Sequence, residues 1–300
     1  MPIKYLVISG GGPTGFLTYG ALRQLAKANF WKLADIQGIY GCSIGAFLGV
    51  IISLEYEWES LDDYFIKRPW EKLVSATSSF NLVKIYEQKG LLNEQIFLET
   101  FTPLLKAKDL PVQITLEELY AYNHIDLHLY TTNINSEQLD KVDLSHKTHP
   151  KLSLIKALQM SMAFPIVFQP VCNGEACYID GGLLNNYPLN DCLLQTKCEK
   201  DEILAFKNIW KEQRNNIINE NSTIVDFLMM LIKKMQMTLD TESKQEEVKN
   251  TVRCLVEDLE DLSKWSEALS EESMRAKLIE KGEKQADLFL AYIHNTEHKL

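Results

Sequence analysis

Three hundred residues, 46% of them hydrophobic, suffice for a large buried core of the soluble globular type. A formal charge of −10 at pH 7 argues against nucleic acid as a partner, since phosphate binding needs clustered Lys and Arg, and it leaves any membrane contact to apolar surface. The longest apolar stretch, Ile44 to Leu54, is about half of the ~20 residues a spanning helix needs, so no transmembrane segment is expected.

The chain opens on an apolar run, Ile3 to Ile8, of strand length, so no secretory signal is expected. A glycine loop, Ser9 to Gly15, and a helical pattern from Phe16 to Ala28 follow. Ile36 to Tyr40 reads as a second strand, and Ile44 to Leu54 as a helix apolar on every side and therefore buried. Two strand-loop-helix units in succession point to a parallel sheet with helices on its faces. From Glu57 to Leu105 the pattern is helical, broken near Pro69, at Ser75 to Ser79 and at Gly90, with Asn93 as an N-cap and a further helix starting at Thr115. Ile125 to Thr132 reads as a strand and Gln138 to Leu144 as a weaker one. His124 and His128 share one face of the former and are expected to be ordinary surface or loop-facing residues.

A helix from Leu152 to Met162 stops at Ala163-Phe164-Pro165, and a hairpin of Ile166–Val171 and Glu175–Ile179 delivers Asp180-Gly181-Gly182. Glu202 to Phe206 is the last clear strand, and the polar, Asn-rich Lys207 to Asn221 reads as a mobile connection. Beyond it four helices are expected: Thr223–Leu239, Thr251–Glu260, Ser270–Lys281 and Glu283–Ile293, with Glu257, Asp258, Glu260 and Asp261 on a solvated face. The pattern suggests a single domain over 1–300, an α/β core at 1–210 with a helical part at 222–295 packed on it. Six cysteines without a Cys-x-x-Cys pair are expected to be reduced thiols with no metal role, although Cys172 and Cys177 flank the hairpin dipeptide Asn173-Gly174.

The chemistry concentrates in Gly41-Cys42-Ser43-Ile44-Gly45. A serine at the end of a parallel strand must turn sharply into the following helix, and small residues at Gly41 and Gly45 let the two backbones cross closely. The hydroxyl is then presented beside a helix N-terminus, where partial positive charge favours a developing oxyanion. Cys42 is expected to be a buried small side chain.

The glycine loop admits a rival. Gly10-x-Gly12-x-x-Gly15 matches a dinucleotide fingerprint, with Asp35 twenty residues on, but Asp35 precedes the second strand whereas a ribose-binding acid belongs at that strand's carboxyl end. A Walker loop fails for want of Gly-Lys-Ser/Thr. Consecutive N–H groups at Gly10, Gly11 and Gly12 beside the serine's strand make a good oxyanion hole. For a base, the histidines after Asp180 are only His294 and His298, in the last seven residues, so Asp180 at its loop crest is the candidate.

In order and approximate spacing, Gly10 to Gly15, Gly41 to Gly45 with Ala46, Ala163-Phe164-Pro165, and Asp180 through Asn186 to Pro188 resemble the patatin-like phospholipase family, as do the closing helices from Leu269 to Leu290. The resemblance implies a three-layer α/β/α sandwich with a mostly parallel sheet, nucleophile Ser43, base Asp180, oxyanion donors Gly10, Gly11 and Gly12, and motif support from Gly15, Gly41, Gly45, Gly181 and Gly182. It further implies acyl-ester hydrolysis of lipid without metal or cofactor; with neither a signal nor a spanning segment expected, a cytoplasmic protein, peripheral at a transient membrane surface when acting, is anticipated. The family usually has Arg or Lys where Thr14 stands. Alternatives from other classes are a catalytically silent membrane- or partner-binding module and a soluble-ester or acyl-transfer enzyme. Asn185 and Asn186 are expected to hold the Asp180 loop.

On a helical wheel Ile224, Phe227, Leu228, Leu231, Met235 and Leu239 form an apolar stripe suited to dock on the core. Met230 and Met237 share the other side with Asp226 and Lys233, where flexible thioethers would suit varied acyl chains or pack against neighbouring helices.

Overall fold

The computed structural model describes residues 1–71, 82–210, 217–242, 246–257, 259 and 262–297. The expected break at Ser75 to Ser79, His298 and most of the acidic cluster lie outside them. Ten strands occur among the described residues: β1 Tyr5–Ile8, β2 Gly38–Cys42, β3 Gly90–Leu92, β4 Asp126–Asn133, β5 Asp140–Leu144, β6 Ile166–Phe168, β7 Val171–Cys172, β8 Cys177–Asp180, β9 Ile203–Trp210 and β10 Thr251–Val256. The main sheet runs β10-β9-β1-β2-β4-β8-β7, with β5 on β4. Its first five strands are mutually parallel; β5 and β8 pair antiparallel to β4, and β7 pairs antiparallel to β8.

Both faces of the parallel part are covered, so its strands alternate between two apolar cores. Leu6, Ile8, Ile39, Leu204 and Phe206 face the larger core, under the helices Gly15–Lys27, Ile44–Ser53 and Glu272–Glu297. Val7, Tyr40, Cys42, Ile203 and Ala205 face the smaller one, with Leu189 and Cys192 of the helix Leu189–Thr196. The result is the expected α/β/α sandwich. Asn93 caps its helix by accepting the Gln95 N–H at 3.0 Å, and Thr115 opens its helix with a capping box to Glu118.

Several elements differ from expectation, each for a packing reason. Thr251–Val256 is a strand, not a helix: Val252, Cys254 and Val256 are buried beside β9 while the residues between them face outward, a period of two masked by the apolar but exposed Leu255. The C-terminal part thus completes the sheet. The two helices expected on either side of Gly282 are one, Glu272–Glu297, because Gly282 is its contact point: a Cβ there would collide with the Leu17 carbonyl. An additional helix, Leu262–Ser270, precedes it. Gly90 opens a short strand paired with β6, which leaves only Val171–Cys172 as the first arm of the hairpin. Cys172 and Cys177 face each other in register across the Asn173-Gly174 turn and are joined in a disulfide, not held as separate thiols.

His128 is not a surface residue. It is buried in the sheet, stacked on Tyr40 at 4.2 Å, with Nδ1 2.8 Å from Asp143 Oδ2 and Nε2 3.2 Å from Asp126 Oδ1. The acids come from β4 and β5, so only strand pairing brings them together. Burial opposes a charged ring, but the two carboxylates raise the His128 pKa to about 9. Burial likewise works against the Asp126 carboxylate, which His128 and Lys147 nevertheless hold at about 2. A folded pKa above the free value of 6.5 means that the pair stabilises fully below pH 6.5 and loses that contribution as pH rises to about 9. On the acid side it fades as pH falls from 3.8 toward 2. His128→Asn is therefore expected to cost on the order of 3 kcal/mol at pH 6, with the gap narrowing toward pH 9. Thermal melts of both proteins across pH 5 to 10 read this directly, and a gap independent of pH would contradict it.

Candidate active site

β2 ends at Cys42 and the chain turns through Ser43, whose φ of 54° and ψ of −122° lie where a non-glycine residue is strained. The turn persists because its surroundings hold it. The Ser43 N–H donates to Ser161 Oγ at 3.2 Å, and the Ser161 hydroxyl donates to the Tyr130 carbonyl at 2.7 Å, tying the elbow to β4. The helix Ile44–Ser53 crosses β1 so closely that a Cβ on Gly45 would strike the Ile8 carbonyl. A Cβ on Gly41 would lie 2.6 Å from the Ala46 nitrogen, so both motif glycines sit at backbone crossings, as the spacing required.

Asp180 reaches the same place through strand register. Cys42 pairs with Tyr130 on β4, and Asp180 pairs with the next residue, Thr131. Since β5 occupies the other edge of β4 at these residues, β8 continues along the edge that β2 leaves, and Asp180 stands where Ser43 leaves the sheet. Its Oδ1 accepts the Gly182 N–H at 2.7 Å and the Cys42 thiol at 3.8 Å, while Oδ2 is buried without a hydrogen bond of ordinary geometry. Burial raises the Asp180 pKa to about 6, against the opposing pull of Ser43, Gly182 and Cys42. Its own N–H is fixed by the Ala163 carbonyl at 3.0 Å, and Gly181 packs against the Tyr130 carbonyl.

The glycine loop is anchored from two sides. Gly10, Gly11 and Gly12 all line the cavity in front of Ser43, but the Gly10 N–H donates to the Asn186 carbonyl at 3.0 Å, so that expected oxyanion donor is already engaged. Gly12 has φ 61° and carries the Trp265 ring against it, and Gly15 abuts Ile44. From β9, Asn208 Nδ2 donates to the Gly10 carbonyl at 3.0 Å and to Thr14 Oγ1 at 2.8 Å. Thr14 is wholly buried behind the loop, so its position does not open toward the cavity. Neither Asn208 nor Ser161 carries a sequence signal, because each acts through a contact made only by folding. Asn186 anchors the glycine loop, while Asn185 donates to Asp191 at 2.9 Å, so the pair bridges two elements.

The patatin-like phospholipase family model matches residues 6–193, which include every part of this constellation except Asn208 and Trp265. The chain belongs to the patatin-like phospholipase family. Similar family-scale relatives include the probable lipid hydrolase 463L of Invertebrate iridescent virus 6, 25% identical over 228 residues, covering 71% of this chain and 73% of that one. The uncharacterized protein YqhO of Bacillus subtilis is 27% identical over 197 residues, covering 61% and 64% respectively. Among solved structures, VipD from Legionella pneumophila aligns over 94% of this chain and 67% of its own, at 15% identity and a TM-score of 0.49.

In front of Ser43 and Asp180 this patatin-like chain opens a cavity of about 520 Å³. Phe16, Phe47, Phe65, Trp70, Phe97 and Phe168 wall it, a predominantly apolar lining with polar groups at the serine and on the outer wall. The outer wall is the helix Ile224–Glu242, and its orientation inverts the expected one. Asp226, Met230, Lys233 and Met237 face the cavity, while Ile224, Phe227, Leu231 and Met235 of the anticipated docking stripe are exposed. A cavity this wide gives the stripe no core to dock on. Basic charge near the serine's cavity comes from Lys207, with Nζ 5.0 Å above the Tyr187 ring, and Lys233, with Nζ 4.9 Å above Trp210. His294 lies on the exposed side of the last helix, away from this lining.

Proposed function

We propose that this protein hydrolyses fatty-acyl ester bonds of phospholipids or related glycerolipids through an acyl-serine at Ser43, with Asp180 as the single base. The observation that carries the proposal is the buried Asp180, raised to about 6 and set by β4 beside a strained serine at the end of an apolar cavity. A carboxylate tuned near the working pH is a better proton acceptor than a solvated one.

Ser43 Oγ attacks the ester carbonyl as its proton passes to Asp180. The N–H groups of Gly11 and Gly12 and the N-terminus of the elbow helix face the developing oxyanion. Collapse expels the alcohol, which takes the proton from Asp180 and leaves the acyl group on Ser43. Water then attacks the acyl-serine, giving its proton to Asp180. The second collapse releases the fatty acid and returns that proton to Ser43. The aromatic walls hold the acyl chain through apolar contact, which places the ester at the serine.

A fluorophosphonate probe tests the chemistry, since it labels an activated serine and little else. The expected result is a single adduct by intact mass, mapped to Ser43 by peptide mass, alongside fatty-acid release from phosphatidylcholine vesicles. Wild-type protein that never labels, or labels elsewhere, would replace the proposal with a silent binding module of the same fold.

A further inference from the structure

The helix Ile224–Glu242 is two-sided in an unusual sense, since both of its sides carry large apolar residues but only one meets protein. Its inner side lines the cavity through Met229, Met230 and Met237. On the outer side Ile224, Phe227, Leu231 and Met235 are 57%, 46%, 45% and 45% exposed. Their spacing of three, four and four residues puts them in one row, about 17 Å long at the helical rise. Isolated exposed apolar residues are ordinary, but a row of four on one helix is a surface.

We infer that this outer row seats the protein on a lipid bilayer, with the cavity mouth against the membrane. Two observations select this occupant. First, the row stands beside a cavity mouth with apolar residues of its own: Ile217 and Ile218, in the segment leading to the helix, and Met237, on the helix itself, are exposed and also line the cavity. An acyl chain leaving a bilayer past these residues keeps apolar contact at the mouth, which lowers the cost of extracting a lipid, while Ser222, Asp226, Lys233 and Gln236 supply polar groups on the same wall. Second, across the row from Ile224 to Met235 the chain carries Asp226 against Lys233 and Lys234, a net charge of +1 in a protein of −10. An acidic protein is repelled by an anionic bilayer least where its own negative charge is thinnest, and this helix is such a place; a neutral bilayer sets no such barrier and leaves apolar contact to decide. The choice of a bilayer rests on the proposed lipid chemistry, but the seating itself is measurable without it.

The test uses Ser43→Ala protein, which cannot turn over, and flotation with vesicles of phosphatidylcholine and phosphatidylethanolamine. The full chain is expected to float, and adding Phe227→Ser with Leu231→Ser is expected to lower partitioning at least about tenfold, since two large apolar contacts are lost. Ile224→Ser with Met235→Ser, at the two ends of the row, gives the same loss independently. These four side chains are outside the cavity lining, so with Ser43 restored the fluorophosphonate labelling rate stays within about twofold while vesicle hydrolysis falls with partitioning. Both double variants floating like the parent would overturn the inference, as would a parent that does not float. Light scattering showing a dimer that both variants dissolve, with flotation unchanged, would assign the row to a second copy of the chain instead. Lost flotation in a protein whose Ser43 never labels would support the seating and overturn only the proposed chemistry.

Discussion

Replacing Asp180 by asparagine lowers ester turnover by about three orders of magnitude and, in the same protein, raises stability at neutral pH. The two effects share one cause. The fold holds the carboxyl at about 6, above its free value of 3.8, by burying it completely. Above pH 6 the native state therefore carries a charge it would rather neutralise, at a cost on the order of 3 kcal/mol. That cost shrinks as pH falls from 6 to 3.8 and vanishes below, where the carboxyl is protonated in folded and unfolded chains alike.

Asparagine keeps an oxygen for the Gly182 N–H and occupies the same volume, but it cannot take the Ser43 proton. Melts of wild type and Asp180→Asn should separate above pH 6, with the variant the more stable, and converge near pH 4. In the wild type, turnover should fall about tenfold per unit below pH 6 as the base protonates. His294→Ala should leave turnover within about twofold. Asp180→Asn with turnover within tenfold of wild type, or a large loss in His294→Ala, would move the base elsewhere.

Gly45→Val abolishes labelling of Ser43 and destabilises the protein by on the order of 3 kcal/mol or more. A side chain there meets main chain on two sides, the Ile8 carbonyl and the Ser9 oxygen at 2.9 Å, and neither can rotate away. To admit it, the helix Ile44–Ser53 must lift from β1, and the strained Ser43 turn loses the contacts that hold it. Gly49→Ala is the control within the same helix. Its Cβ would meet only the Ile39 side chain, at 2.9 Å, which can shift, and alanine favours helix over glycine. Urea unfolding and probe labelling of the two variants should diverge sharply. A Gly45→Val protein that still labels would show that the crossing of helix and strand does not shape the elbow.

Sequence alone was enough for what depends on neighbours along the chain. The runs around Ile3 to Ile8 and Ile36 to Tyr40, each followed by glycine and a helical period, give a parallel sheet, because period, turn chemistry and helix burial are local constraints. The elbow is legible for the same reason: small residues at Gly41 and Gly45 are a steric necessity within five positions. Asp180 is legible only as a candidate, since nothing local says what lies opposite a loop crest.

Pairing across the sheet decided the rest. It set Asp180 beside Ser43 through a shared neighbour on β4 and enclosed His128 between acids from two strands, while a contact between loops took up the Gly10 N–H with Asn186. Thr251–Val256 reads as helix until β9 lies alongside to show which residues alternate inward. The helix Ile224–Glu242 is the sharpest case, for a helical wheel shows that two faces differ but not which one meets the protein. A hydrophobic stripe normally turns inward because a filled core is there to receive it. Here the neighbour is a cavity, and the choice of face belonged to the space the other elements left open.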